Sequence, residues 1–456
     1  MLSKVPLLGW GGRRKNYFMK RIYTSLGMAA LSAAGLQCVH AQQVDTSKPW
    51  SISSSLRGFY DDNINTAHSD KVHSFGVQMS PTIAFGMPLE GSQTDIAASY
   101  NYSHKWYDTA VNSNTGGNDH TEDQHTFMAR LNHAFTERLI MSVQDSFVVG
   151  QEPDQLAVHN TAIANPQWVS GNNIRNYGSI AFDAQLTRQV GVEVGYANSL
   201  FDYADNSDFG NAALLNRLDN VVHLDGRWTI QPGTVGILGI QFREIDYTGN
   251  LPIQLIGYGP PPSFNPVYLY SDSRNVRMYY LYTGIEHTFT PDLTGSLLAG
   301  ASYADYYNSP NGDTSYAPYV QGSLSYQYAK DSSLNVGVSV DQSATYESSY
   351  SAQNNSLTTD AETVLGYVSV RHRIAADLYV NASGQYQYSV FNGGTLNNDS
   401  QNLYTAGVNL EYRINRHVSA DAGYSYDGLS SGGSNSGNEV PSYSRNRVYI
   451  GATVIY

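Results

Sequence analysis

The stretch that decides the fold is SYSRNRVYIGATVIY, residues Ser442 to Tyr456, where the chain closes. Counting back from the terminal Tyr456, every second residue is apolar or small: Val454, Ala452, Ile450 and Val448. The alternate register holds Ile455, Thr453, Gly451, Tyr449, Arg447 and Arg445. A period of two with one apolar side is the signature of a β-strand. Chain ends are ordinarily polar and frayed, whereas this one reads as ending inside a strand. Such a strand needs a partner, and the stretch WSISSSLRGFY that begins at Trp50 supplies one.

Between those two segments the same unit returns again and again. An alternating stretch of about ten to fifteen residues is followed by a break, and the breaks take turns between two kinds. One kind is a tight polar or Pro/Gly turn: PLEG at Pro88, TERL at Thr136, TRQV at Thr187, QPGT at Gln231, TPDL at Thr290, AKDS at Ala329, HRIAAD at His372 and RINRH at Arg413. The other is long and hydrophilic, as in the loops that start at Asp108, Gln151, Thr248, Ser348, Asn392 and Leu429. Eight short turns and nine long loops divide the chain into 18 strands (8 + 9 + 1). All short turns and both ends then fall on one side and all long loops on the other. This is the asymmetry of an all-β, antiparallel, up-and-down transmembrane barrel with short periplasmic turns and long extracellular loops.

The strand faces support it. In DSSLNVGVSVD, Leu334, Val336, Val338 and Val340 oppose Asn335, Gly337, Ser339 and Asp341. In TDIAASYNYSHKW, Ile96, Ala98, Tyr100, Tyr102 and Trp106 share a face that His104 interrupts. Eighteen strands enclose a lumen too wide for side chains to fill, so an apolar lining would sit in water. The apolar face must therefore meet lipid, where a Lys or Arg at the midplane costs about 2–4 kcal/mol. That accounts for a charged content of 14%, against roughly 25% in an average protein. Tyrosines gather where strands meet the long loops, at Tyr100, Tyr102, Tyr303, Tyr306, Tyr307, Tyr386, Tyr388, Tyr424 and Tyr426, with Trp106 and Tyr107. They read as an aromatic girdle at headgroup level.

The first 41 residues stand apart. Met19, Lys20 and Arg21 precede a short apolar run, and VHA ends it at Ala41. This is the pattern of a secretory signal peptide spanning residues 1–41, with Met19 a second candidate start. Residues 42–49 are then a short periplasmic lead and 50–456 the barrel. The single cysteine, Cys38, falls inside the signal and leaves no disulfide framework. The whole chain carries 26 basic and 39 acidic residues. Six of the basic ones and none of the acids precede Gln42, so the remainder stands at 20 − 39 = −19. That balance argues against a nucleic-acid partner.

Inward positions of the strands supply charged candidates for lining the lumen: Arg57, Arg130, Asp183, Asp225, Arg227, Arg243, Asp341, Glu411, Arg445 and Arg447. Asp225 and Arg227 read as a polar pair, and Arg445 and Arg447 as inward groups solvated near the outer end. No GxSxG, HExxH, CxxC or phosphate loop occurs, so neither an enzyme nor a cofactor is expected. Two oxygen-rich groups, His68/Asp70/His73 and Asp119/His120/Glu122/Asp123/His125, lie in what read as external loops. Neither has a metal-site spacing. His223, His287 and His372 fall in strands or at their ends with no pattern grouping them. The loop from Gln151 to Asn173 and the Pro-rich loop near Pro260 are candidates to fold into the mouth.

Two segments carry a resemblance to a known family. LRGFYDDNIN, Leu56 to Asn65, and SRNRVYIGATVIY at the end resemble the putative beta-barrel porin 2 group, and the terminal YIGATVIY resembles the strand signal read by the barrel assembly machinery. The resemblance implies a porin in the outer membrane of a Gram-negative-type bacterium, inserted by that machinery and surrounded by outer-membrane lipid. It covers roughly residues 50–456 in layout. Asp61, Asp62 and Asn63 within it read as a turn cluster, with a ligand or cation role as the rival. The expected function is a water-filled pore for passive diffusion of small polar solutes, as a homotrimer or a monomer. The rival is an outer-membrane component of exopolysaccharide export, or a surface scaffold, without free conductance; some relatives are associated with exopolysaccharide export loci.

Overall fold

The computed structural model describes residues 49–88, 93–112, 118–150, 172–204, 208–261, 264–345, 348–432 and 442–456. The expected signal peptide and most of the loop from Gln151 lie outside those residues. The strands are β1 (Trp50–Asp61), β2 (Ser74–Pro88), β3 (Thr94–Asn112), β4 (Asn118–Thr136), β5 (Leu139–Gly150), β6 (Asn173–Gln185), β7 (Val190–Tyr203), β8 (Arg217–Gln231), β9 (Thr234–Tyr247), β10 (Pro252–Tyr258) and β11 (Pro266–Tyr270). They continue as β12 (Val276–Thr290), β13 (Leu293–Asp305), β14 (Thr314–Ala329), β15 (Ser332–Ala344), β16 (Tyr350–Ser351), β17 (Ser356–Leu357), β18 (Asp360–Ala375), β19 (Leu378–Asn392), β20 (Ser400–Arg413), β21 (Val418–Gly432) and β22 (Tyr443–Ile455). Among the described residues one short α-helix, α1 (Asn211–Leu215), precedes β8.

Eighteen strands form one sheet in which each pairs antiparallel with its neighbours along the chain. The hairpins β10–β11 and β16–β17 stand apart as small sheets within long loops. The ring closes between β1 and β22, in register from Ser53 opposite Ile455 to Asp61 opposite Arg447. A closed sheet leaves no unpaired edge, which is what hydrocarbon demands.

The outer face is apolar around the ring. Val336 and Val338 are 39% and 43% exposed, and Ile450 is 71% exposed. The same alternation recurs elsewhere: Ser369, Gln385, Asn409 and Ser425 are buried beside the exposed Val368, Tyr386, Val408 and Tyr424. Large apolar side chains exposed on strand after strand are tolerable only if lipid covers them. Several positions depart from the expectation of a nearly charge-free outer face, among them the exposed pairs His104–Asp123 and Arg277–Glu244. Asp145, in register with the exposed Phe147, points outward and accepts a hydrogen bond from Asn176 Nδ2 at 3.0 Å.

The two kinds of connection fall as expected on opposite ends, but the long ones are more structured than their composition implies. The stretch from Asp108 is mostly strand, because β3 and β4 each run 19 residues and continue beyond the membrane as a hairpin. Inward cross-strand bonds hold that extension together: Tyr107 donates to Glu122 at 2.9 Å, and Lys105 pairs with Glu122 at 3.4 Å. The group from Asp119 to His125 therefore lies in a strand rather than a loop. Alternation splits it, Asp123 bonding His104 on the outer side and Glu122 facing in. The girdle is also thinner than the sequence suggests. Tyr100, Trp106, Tyr386, Tyr388 and Tyr424 are exposed on the outer face, whereas Tyr107 and Tyr306 are buried.

Candidate functional site

The inner wall of the barrel is the candidate site, and it is built from cross-strand pairs. At the seam, Arg445 pairs with Asp61 at 2.8 Å and Arg447 with Asp427 at 2.6 Å. All four side chains are 2% exposed or less. This corrects the expectation that water solvates the two arginines. The segment after β1 folds over them, with Ile64 and Val72 packing on Phe59, Tyr107 and Tyr449, and carboxylates from neighbouring strands take the place of water. Asp62 accepts the Asn446 backbone N–H at 2.6 Å, and Asn63 Nδ2 donates to the Ser444 carbonyl at 2.9 Å. The Asp61–Asn63 cluster therefore ties the first strand to the last. One level down, Arg57 pairs with Asp421 at 2.9 Å and stacks 4.8 Å from the centre of the Tyr449 ring.

A third of the way around, β7, β8, β9 and β12 carry a second group. Glu193 stands opposite Asp225 in the register. Arg227 bonds Glu193 at 3.4 Å and also bonds Glu286. Asp225 accepts the Tyr282 hydroxyl at 2.6 Å. Asp225 and Arg227 thus share a face, as residues two apart in a strand must, yet each bonds partners on other strands. His223 Nε2 lies 3.5 Å from Glu193 Oε1. Asp183 faces Glu193 directly across β6 and β7. Nearer the long-loop end, Asp219 bridges Arg217 and Arg243 at 3.3 and 3.1 Å, and Asp341 accepts the Gln342 backbone N–H at 2.8 Å.

At the short-turn end three guanidinium groups surround one ring. Arg413, Arg371 and Arg373 lie 4.2, 5.1 and 5.9 Å from the Tyr379 centroid. Glu411 holds Arg413 at 2.9 Å, and Asp331 holds Arg373 at 3.0 Å. Arg130 pairs with Asp95 at 3.2 Å, and both are nearly half exposed.

Aromatic rings on this wall lie flat against it. Gly76 faces Phe59, Gly195 faces His223, Gly239 faces Tyr282, Gly337 faces Tyr367 and Gly423 faces Tyr449 across adjacent strands. A Cβ added at any of these glycines would collide with the ring opposite. Glycine thus leaves the space a ring needs to recline on the sheet rather than stand in the lumen.

The long-loop end is cross-braced. Ala213 of α1, Ile253 and Leu269 of the β10–β11 hairpin and Leu357 of β17 form one buried cluster. Arg274, fully buried, donates to the Thr345 carbonyl at 2.9 Å and to the Leu214 carbonyl, and lies 4.2 Å above the Tyr247 ring. Asn311 donates to the Asn355 carbonyl at 2.7 Å. The loops after β7, β9, β13 and β15 therefore touch one another at the long-loop end. In the loop after β13, burial raises the Tyr306 hydroxyl pKa well above its ordinary value, with Asp360 adding to the effect. Burial and the hydrogen bond to Asp246 push Tyr307 up to about 12.

Sequence reasoning offered candidates for inward charges and gave no partners for them. Asp421, Asp427, Asp219, Glu193 and Glu286 all sit at inward positions, but only the register says which cation each one meets. His223 was a lone strand histidine until β7 came alongside. Arg274 carried no periodic signal, because it lies in a 3-10 turn between strands.

Residues 268–456 match the model of the family described as Putative beta-barrel porin 2. No curated protein matches the chain. Among solved structures, the outer-membrane protein OpdK of Pseudomonas aeruginosa, crystallised with vanillate, is 10% identical over 89% of this chain and 99% of its own, with a TM-score of 0.41. OccAB4 of Acinetobacter baumannii is 12% identical over 90% of this chain and 99% of its own, with a TM-score of 0.40. The FrpB iron transporter of Neisseria meningitidis is 11% identical over 90% of this chain and 82% of its own, with a TM-score of 0.39. Likeness at these scores is one of general form. The chain is a porin-like outer-membrane β-barrel that resembles the putative beta-barrel porin 2 family through its C-terminal strands.

Proposed function

We propose that this barrel lets small polar solutes diffuse across the outer membrane of a Gram-negative-type bacterium through a wet lumen whose outer mouth is narrowed by its own loops. The observation that carries the reading is the sorting of side chains. Ionised and amide groups face the enclosed side on strand after strand, and apolar ones face out. A polar inner wall replaces the hydration a solute would lose in lipid, and its fixed charges set preference. The rings reclined over glycines favour passage, since they keep aromatic bulk out of the centre. The carboxylates of Glu193, Asp225 and Glu286, which outnumber the guanidinium of Arg227 on one wall, favour cations or neutral solutes. The test is single-channel recording of the purified protein in planar bilayers, repeated with candidate sugars. Stable openings at low voltage are expected. A silent channel would reject free diffusion.

The braced mouth favours one second reading, an export component that opens only with periplasmic partners. On that reading the isolated protein is silent, and weakening the loop contacts restores conductance.

A further inference from the structure

We propose that Glu193, His223 and Asp225 form a site for a first-row divalent transition metal, of the Zn²⁺ class, on the inner wall of the barrel. This goes beyond the transport reading and does not depend on it.

The three residues come from adjacent strands and share the inner face. Glu193 stands opposite Asp225, and His223 stands opposite Gly195. One ligand atom from each lies within 4.8 Å of the others, and among the described residues no other three His, Cys, Asp or Glu side chains gather so closely. His223 Nε2 and Glu193 Oε1 are 3.5 Å apart. That is long for a charge-assisted hydrogen bond, about 2.7–2.9 Å. It matches the edge of a tetrahedron whose corners lie about 2.0–2.2 Å from a central ion, which is about 3.3–3.6 Å. Glu193 Oε1 is buried and takes part in no hydrogen bond. The other carboxylate oxygen, Oε2, is held by Arg227, which leaves Oε1 directed at the histidine.

The surroundings suit a cation. Glu193, Asp225 and Glu286 gather around Arg227, so carboxylates exceed guanidinium groups on a largely buried wall. Excess buried charge of one sign is costly unless something neutralises it, and a divalent ion would do so. The donor set, one imidazole and two carboxylates, is that of zinc and its neighbours rather than of calcium or magnesium. The Tyr282 hydroxyl bonded to Asp225 orients that carboxylate from behind, as outer partners of metal ligands do. The His223 ring is seated over Gly195, where a Cβ would displace it. Asp225 is only partly buried, so the ion has a way in from the lumen and room for a water as fourth ligand.

The experiment uses the untagged full-length barrel, purified in detergent, stripped with chelator and titrated with Co²⁺ while its visible absorption is recorded. One saturable Co²⁺ per chain, displaced by Zn²⁺, is expected. His223→Ala and the isosteric Asp225→Asn should each weaken binding at least tenfold while migration of the unheated folded barrel on gels stays normal. The His104→Ala variant, which removes the outward His104–Asp123 pair, should bind as the parent does. The proposal is overturned if the parent shows no saturable binding. It is equally overturned if binding survives both His223→Ala and Asp225→Asn, or is lost in His104→Ala alone.

Discussion

Replacing Arg274 with methionine tests whether the loops narrow the mouth. The side chain is fully buried and donates to backbone carbonyls in two different loops, at Thr345 and at Leu214. Hydrogen bonds from a charged donor are worth about 1.5–3 kcal/mol each, so the pair contributes about 3–6 kcal/mol. The ring contact with Tyr247, at 4.2 Å, adds about 0.5–2 kcal/mol. Freed carbonyls regain water once the loops part, and methionine recovers some packing, so a net loss of about 3 kcal/mol is expected for the braced arrangement. At 1.4 kcal/mol per factor of ten, that raises the population of the opened mouth about 100-fold. The strand ladder does not involve Arg274, so folding of the barrel itself should be unchanged.

In single-channel recordings Arg274→Met should open more often or conduct more than the parent. Limited proteolysis should cut faster near residues 208–216 and 348–359. The two readouts guard each other. Faster cleavage without a change in conductance would mean that the loops brace themselves but do not obstruct passage. Unchanged cleavage together with unchanged conductance would refute the bracing argument altogether.

Three further outcomes follow from the wall and the seam. Asp61→Asn breaks the buried pair that Asp61 makes with Arg445 at 2.8 Å, and breaking such a pair costs about 3–5 kcal/mol; the barrel should unfold at lower temperature or urea, and Asp61→Asn combined with Arg445→Met should recover part of the loss. Parent-like stability in the single variant would mean the seam pair is idle. Gly337→Val should lift the Tyr367 ring off the wall and reduce conductance, while Gly58→Ala, whose added Cβ meets nothing within 4 Å, should behave as the parent; equal conductance in both would contradict the reclined-ring account. Val338→Arg puts a charge on the lipid face at a cost of about 2–4 kcal/mol, whereas Ser339→Arg points into the lumen, so assembly yields in vesicles should separate the two by their faces.

Much of this architecture is readable from alternation alone. The apolar runs from Leu334 to Val340 and from Val448 to Val454 mark their own outer faces, and turn composition sorts the two ends of the barrel. What alternation could not reach is the register between paired strands, and with it which side chains meet. The long-loop ends deceived for a related reason: the stretch from Asp108 is as polar as any loop, yet the β3–β4 hairpin runs through it. Outside the membrane a strand no longer needs an apolar face, so its composition converges on that of a loop. Of the two segments whose resemblance the sequence suggests, Ser444–Tyr456 lies within the residues that the family model matches and Leu56–Asn65 outside them; the two are partners at the seam. Closure is the one pairing in the barrel between strands that no turn or loop joins directly, so its side-chain bonds need the most specific residues.

Register also explains why a lipid-facing barrel carries so many paired charges inside. A slip of one residue would turn each apolar side chain into the lumen, and the hydrophobic pattern alone forbids it. Slipping by two residues is different. It restores both faces, so a pattern of period two is nearly blind to it. The groups that do distinguish the two registers are those with a single correct partner. Moving β8 by two residues against β7 would take His223 off Gly195 and press its ring against Glu193 or Ala197. The same shift of β18 against β15 would part Tyr367 from Gly337, and that of β22 against β21 would part Tyr449 from Gly423. These pairs lie far apart around the ring, so a shift at one cannot be absorbed at the next without opening the seam. The inner wall therefore serves twice: it presents polar groups to whatever passes, and it selects the one closed arrangement among several that the outer face would accept.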